Sequence, residues 1–412
     1  MPHIDVTELV RTQLARDEVR CARYPGLFEH KVERMRPSPL AFLRGSAPLF
    51  YSILRSEPDL ARGPSGKGWI TGDLHLENFG AYRPASFAEE VEKKHAAREN
   101  VVFDLNDFDE AVIGPWYLDV LRLATSFLLA GRELSASGAD VIELAEALIE
   151  SHAEHACAER SLPKTPRPIE ELLAAVAGRS RARLLGARTK VVHGKRKFVR
   201  GPRYRDIPTA IEQQVRASFA KYTEHLPPHE ELSREQTEIL DVAFRVAGTG
   251  SLGSFRVGVL TKGKGGQDGA WIFDVKEQGN PCAEALLGRQ TLRGAARVVA
   301  AIECSLARPP RSLGTTKLAG RSMLVRRLTP QEDKLMLSKL RSADLLPLAR
   351  YLGALTGTAH RRGATSPPKK PWNKVERGQV IEHAITFAGL HEAAYLAMCR
   401  FVAAKPTASR RR

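Results

Sequence analysis

The chain has 412 residues, 43% of them hydrophobic and 27% charged, which are the proportions of a water-soluble globular protein with room for two ordinary domains. No uninterrupted apolar run reaches the roughly 18 residues of a membrane span, and the start MPHIDVTELV lacks the basic-then-apolar pattern of a signal peptide. A net charge of +16 favours anionic partners (nucleotide, phosphorylated substrate or nucleic acid), although part of it lies in the tail Arg410, Arg411 and Arg412, read as solvated and disordered.

Residues 1–70 read as helical, broken at Arg36-Pro37-Ser38-Pro39. WYLDVLRLATSFLLAG, after Pro115, carries apolar residues at helical spacing. ADVIELAEALIESHAEHA follows with Val141, Leu144, Ala145, Leu148 and Ile149 on one face. Residues 179–205 hold eleven Lys or Arg, and KVVHGKRKFVRG within them reads as strand, tight turn, strand. A solvated basic excursion is preferred there to a nucleic-acid-binding hairpin, because only Phe198 and Tyr204 interleave aromatic rings.

From 238 to 276 the period changes to two. Phe255, Val257 and Val259 alternate with Arg256 and Gly258, and Trp271, Phe273 and Val275 with Ile272, Asp274 and Lys276. These are strands joined by the turn KGKGGQDG. After about 280 the pattern returns to helix, apart from one strand candidate, SMLVRRL. Two amphipathic helices, YLGALTGTAHRRGA and EHAITFAGLHEAAYLAMCRFVAA, end the pass, and no internal repeat is evident. The five cysteines (Cys21, Cys157, Cys282, Cys304 and Cys399) never form a CxxC pair, which fits a reducing cytoplasm rather than a disulfide framework or zinc site.

Two polar stretches carry the densest chemistry. TGDLHLENFG, residues 71–80, packs Asp73, His75, Glu77 and Asn78 between glycines. FDLNDFDEA adds Asp104, Asp107, Asp109 and Glu110 after an apolar strand. Each taken singly reads as a turn whose Asp and Asn cap nearby backbone. Together, two oxygen-rich loops suit a hard cation such as Mg²⁺, which takes carboxylate, amide and phosphate oxygens. VAGTGSLGSFRVGVL contains Gly248, Gly250, Ser251 and Gly253 in a GxGxxG pattern, a weak signal by itself. A strand rather than a helix follows it, so the glycines sit at a hairpin tip, where backbone N–H groups can cover phosphates. Lys276, ending FDVKE, is placed to pair with those phosphates. GPSGKG at 63–68 lacks the spacing and the Ser or Thr of a P-loop.

These pieces resemble the protein-kinase-like superfamily, particularly its aminoglycoside- and choline-kinase branch. Gly72-Asp73-Leu-His-Leu-Glu-Asn78 is similar to the catalytic loop of those enzymes, Asp107-Phe108 to their metal loop, and Asp119 in YLDVLRLA to the aspartate that opens the next helix. The resemblance implies Asp73 as catalytic base, Asn78 and Asp107 as Mg²⁺ ligands, and Asp119 as a brace behind the catalytic loop. Glycine loop and lysine come about 170 residues after the catalytic loop instead of before it, and LGALTGTAH resembles the helix that ordinarily precedes that loop, so the chain looks circularly permuted. In this order KVERMRPSPLAFLRG, GDLHLENFG, DFDEAVIGPW and VKE closely resemble the bacterial family called domain of unknown function 2252, from about Lys31 to Val402.

The resulting expectation is an α+β, two-lobed, permuted kinase-like fold. It would have a mainly helical catalytic lobe with a basic hairpin (1–235), a small antiparallel-sheet nucleotide lobe (236–345) and C-terminal helices packing back on the catalytic lobe (346–412). The expected activity is ATP- and Mg²⁺-dependent phosphotransfer to an unidentified hydroxyl acceptor, a small molecule for preference. A nucleotide-binding pseudokinase scaffold and nucleotidyl transfer (AMPylation) are the alternatives. A metallophosphatase, suggested by Asp73-x-His75, would need further motifs such as GNH, and none occurs. Lys276 needs an acidic partner, with Glu284 as the choice and Glu277 as the reserve. Arg44 is read either as a phosphate contact or as a structural ion pair, and His75 and His360 as loop-bracing or packing residues. Asp109 is a supporting acid. Nucleic acid is a minor option, and no membrane partner is expected.

Overall fold

A computed structural model describes residues 4–22, 24–84, 101–131, 133–264 and 266–404; the tail arginines lie outside them. The protein is α+β, with a large helical body and several small antiparallel sheets. Among the described residues no helix is long and apolar enough to cross a membrane.

Local chemistry sets the helix starts. The Asp5 carboxylate accepts from the backbone of Thr7 and Glu8 and opens Val6–Cys21. The break at Ser38-Pro39 is a new start: the Ser38 hydroxyl accepts from Ala41 N–H and Pro39 begins Pro39–Leu43. Ser137 and Asp140 form a capping box at the head of Gly138–Cys157. That helix packs along Ser342–Arg362 so closely that a Cβ on Gly353 would meet the Leu148 carbonyl oxygen at 2.2 Å. With Trp116–Ala130, Lys374–Ala404 and the N-terminal helices they enclose one large apolar core.

A six-stranded antiparallel sheet forms the second body. Its order is Gly314–Leu318, Arg321–Leu328, Trp271–Glu277, Arg256–Thr261, Ile239–Arg245, Tyr204–Arg205. The period of two read from the sequence holds. Trp271, Phe273 and Val275 face the helix Thr209–Glu224 in one apolar cluster, while Ile272 packs on the other face with Phe198 and Tyr204. The basic hairpin is Thr189–Val192 paired with Lys195–Phe198, turning at His193 and Gly194 with positive φ at both, as a two-residue hairpin turn requires. Hairpin and helix, grouped by sequence with the helical segment, pack on this sheet. Two of the hairpin segment's arginines are structural: Arg196 bonds Asp268, and Arg200 bonds Asp206 and Asp241.

Some strands escaped the sequence reading. Lys67–Ile70, within the stretch expected to be helical, pairs with both Val112–Pro115 and Ala364–Ser366. Gly314–Leu318 was hidden because GTTKL is too polar to show a pattern. Phe79–Tyr82 and Val102–Leu105 pair with each other, so the loops that follow Ile70 and Leu105 are held side by side.

Candidate functional site

Residues 71–78 connect Lys67–Ile70 to Phe79–Tyr82 and form one wall of a cleft of about 860 Å³. The loop is fixed from below. Asp119, in the first turn of Trp116–Ala130, accepts from Thr71 N–H at 2.7 Å, Gly72 N–H at 2.9 Å and the Thr71 hydroxyl at 3.1 Å. His360 Nε2 lies 3.2 Å from the same carboxylate, and His152 Nε2 lies 2.9 Å from His360 Nδ1. His360 stacks on Trp116, so it braces the loop as expected. Gly72 has φ +74°, and a Cβ there would meet the Glu110 carbonyl oxygen at 2.2 Å. Only glycine lets the two acidic loops approach this closely.

Asp73 lines the cleft, its side chain 19% exposed. Burial pushes its carboxyl up to about 7 against the opposing pull of Arg122, near where a group exchanges protons at neutral pH. Arg122 is fully buried, pairs with Asp73, donates to the Leu43 carbonyl at 2.8 Å and lies over the Phe50 ring. The sequence reading missed it; a lone arginine in an otherwise apolar helix was the available signal. Asn78 is buried and donates through Nδ2 to the Asp73 carbonyl at 3.0 Å, and its Oδ1 is a buried acceptor with no hydrogen-bond partner. His75 accepts from Glu77 N–H at 3.2 Å, and burial holds its imidazole well below its ordinary range, so the ring is neutral and bonds within its own loop.

The DFDE loop forms the next wall. Asp107 is exposed where the cleft meets a second cavity. Asp109 pairs with Lys276 and accepts from Gln278 Nε2 at 2.7 Å. This corrects the expected partner of Lys276. Glu284 sits in the short helix Glu284–Leu287 and accepts from Gln290 N–H at 3.1 Å, off the cleft lining. Glu277 reaches the cleft lining but lies on the opposite face of its strand from Lys276, as strand neighbours do; it accepts from Phe255 N–H at 3.1 Å. Burial lowers the Lys276 ammonium to about 8, with Asp107 opposing. Arg297, buried in Gly294–Ser305, donates to the carbonyls of Asp109 at 2.7 Å and of Ala111, and so ties this loop to the sheet body.

The glycine turn closes the cleft from above. Gly248, Gly250, Ser251 and Gly253 all line it, with Gly248 and Gly253 at positive φ. The turn rests on the N-terminal helices, where Arg34 donates to the Gly248 carbonyl and Arg20 to the Ser254 hydroxyl. Arg16, Arg20, Arg34 and Lys334 line the cleft without having been singled out from sequence. Arg44 lines it too and pairs with Glu77 at 2.8 Å, the structural alternative of the two weighed for it.

Among the described residues no group of three or more His, Cys, Asp and Glu forms a metal cage. The orphaned Asn78 Oδ1 and the exposed Asp107 carboxylate are hard oxygen donors on one cleft, a set that fits Mg²⁺ when phosphate oxygens complete the shell. The sequence profile of one family, described as "Uncharacterized protein conserved in bacteria (DUF2252)", matches residues 23–401. No curated protein and no solved structure matches the chain.

Proposed function

The chain belongs to the DUF2252 family, whose description names no reaction, and we propose that it is an ATP- and Mg²⁺-dependent phosphotransferase of protein-kinase-like, circularly permuted architecture. One observation carries the reading. Asp73, Asn78 and Asp107 share a cleft with the Gly248–Gly253 turn and Lys276, although the two sets lie far apart in the chain. The order of elements supports the permutation. A three-stranded meander, Ile239–Arg245 to Trp271–Glu277, leads through Gly294–Ser305 and a hairpin to Ser342–Arg362. The next strand, Ala364–Ser366, then pairs with the strand that enters the Asp73 loop. One departure from the kinase pattern is plain: Gly294–Ser305 sends Arg297 toward the DFDE loop, and Lys276 takes its acid from that loop instead of from the helix.

In this reading the turn N–H groups and Lys276 hold the triphosphate, and Asn78 Oδ1 and Asp107 would hold Mg²⁺, which when bound offsets charge on the phosphate oxygens. Asp73 orients the acceptor hydroxyl and takes its proton as the new O–P bond forms and the bond to the ADP oxygen breaks. Arg122 keeps the carboxylate aimed, and Asp119 with His360 keeps the loop still. Most of the rate then comes from positioning and electrostatics.

The test is ATP binding by calorimetry with and without Mg²⁺, on wild type and Asp107→Ala. Mg²⁺-strengthened binding in wild type that Asp107→Ala loses supports the proposal. A wild type that binds no ATP with any divalent cation overturns it, and binding without turnover of any acceptor moves the protein to the scaffold reading.

A further inference from the structure

Beyond Lys276 the cleft continues into a second cavity of about 350 Å³, which shares Asp107, Asp109, Gly248, Ser251, Lys276 and Lys334 with the first. The sheet presents charged side chains to this cavity. Arg245, Arg256, Asp274 and Arg326 line it from four adjacent strands, and Arg188 enters from the foot of the basic hairpin.

The charges do not balance. The Asp274 carboxylate serves three guanidiniums: Arg256 through two bonds, one of 2.7 Å, Arg245 at 2.6 Å, and Arg326 at 3.8 Å. Arg326 reaches one other acid, Glu332, at 3.5 Å. The Arg245 side chain is 10% exposed, and its Nε is buried without a hydrogen-bond acceptor. Arg188 has no hydrogen-bond or ion-pair partner for its side chain among the described residues, and its Nη1 is buried. Charged donors left like this cost free energy, and a planar guanidinium is best satisfied by the paired oxygens of a phosphate.

We propose that this second cavity is an oxyanion site that takes phosphate groups, not a ring pocket. The site stands on its own arginines and goes beyond the phosphotransferase reading. Its phosphates come from one of two sources, the nucleotide itself or a phosphorylated acceptor lying next to it. The opposite wall, Val298, Ile302 and Leu306, is apolar, which makes adenosine the right competitor.

The experiment titrates full-length protein with inorganic tripolyphosphate and, separately, with adenosine, in chelator and without divalent cations. Arg188→Gln is the main variant, since its side chain has no protein partner to lose; Arg245→Gln is the second, with thermal unfolding checked for both. Tripolyphosphate should bind Arg188→Gln at least about tenfold more weakly than wild type. Adenosine should not displace it. ATP displacing tripolyphosphate assigns the site to the nucleotide's phosphates, and ATP binding beside it assigns the site to the acceptor; both support an oxyanion site. Equal tripolyphosphate affinity in wild type and Arg188→Gln, or adenosine binding that Arg188→Gln weakens, overturns it. Because the titration is run in chelator without divalent cations, failure of the metal-dependent reading would leave this result standing.

Discussion

Lys276 closes on Asp109, the second aspartate of DFDE, and not on any acid of its own sheet body. The pair joins the helical body to the sheet body at the floor of the cleft, with Gln278 on the other oxygen of the same carboxylate. Asp109→Asn leaves the buried ammonium without its counter-charge and should destabilise the protein by roughly 1–3 kcal/mol. If Lys276 also meets phosphate, ATP with Mg²⁺ restores a counter-charge, so the deficit should shrink in its presence. Thermal unfolding with and without nucleotide measures this, and an unchanged deficit would remove Lys276 from the phosphate site.

The Asp119 carboxylate organises the Asp73 loop through two backbone N–H groups and the Thr71 hydroxyl. Asp119→Ala leaves these donors buried and unpaired, at about 1–3 kcal/mol each. His360→Phe keeps the stacking on Trp116 but gives up the contacts to Asp119 and His152, so it should cost about 1–3 kcal/mol, less than Asp119→Ala. A positioning role separates the two readouts: His360→Phe should lower kcat while KM for ATP stays put. A change in neither would make His360 a packing residue.

Gly72→Ala places a methyl group 2.2 Å from the Glu110 carbonyl oxygen at a φ of +74°. The two acidic loops must then part or the chain must strain, at a cost of about 2 kcal/mol or more. Circular dichroism melts should show the loss. Stability equal to wild type would mean that the loops separate freely and that their contact is not needed for the fold.

Asp274 supplies a pH test of the arginine cluster. Burial alone would raise its carboxyl, but Arg245, Arg256 and Arg326 outweigh it and hold the group far below the usual carboxylate range. A depressed acid contributes stability that is full above its unfolded value, about 3.9, and is lost as pH falls through the folded one. Asp274→Asn should therefore cost about 3–5 kcal/mol near neutrality. The gap to wild type should narrow only below about pH 4. A gap that closes between pH 5 and 7 would contradict the pairing.

The elements that shape the site were legible where periodicity is strong. The alternation in Trp271–Glu277 fixed which side chains face the cleft, and GDLHLEN and DFDE stood out as polar loops beside apolar strands. Applied one step further, the same alternation excludes Glu277 as the partner of Lys276. Asp109 was not readable as that partner, because the pairing exists only once two bodies separated by 167 positions dock. Arg122 and Arg297 were hidden for another reason: each is a single cation on a helix whose apolar face dominates its pattern. The arginine cavity was visible only in fragments, as unremarkable polar positions on four strands, since cross-strand register, not sequence spacing, brings Arg256, Asp274 and Arg326 together.

If Asp73 serves phosphoryl transfer from ATP, its carboxylate governs how fast ADP appears. Phosphorus NMR of ATP and Mg²⁺ incubated with wild type and Asp73→Asn follows the products directly, with water as the surrogate acceptor. Wild type should accumulate ADP and phosphate, and Asp73→Asn should be slower by roughly 10²–10⁴-fold with ATP still bound. AMP and pyrophosphate as products, or equal ADP formation by both proteins, would contradict this role of Asp73.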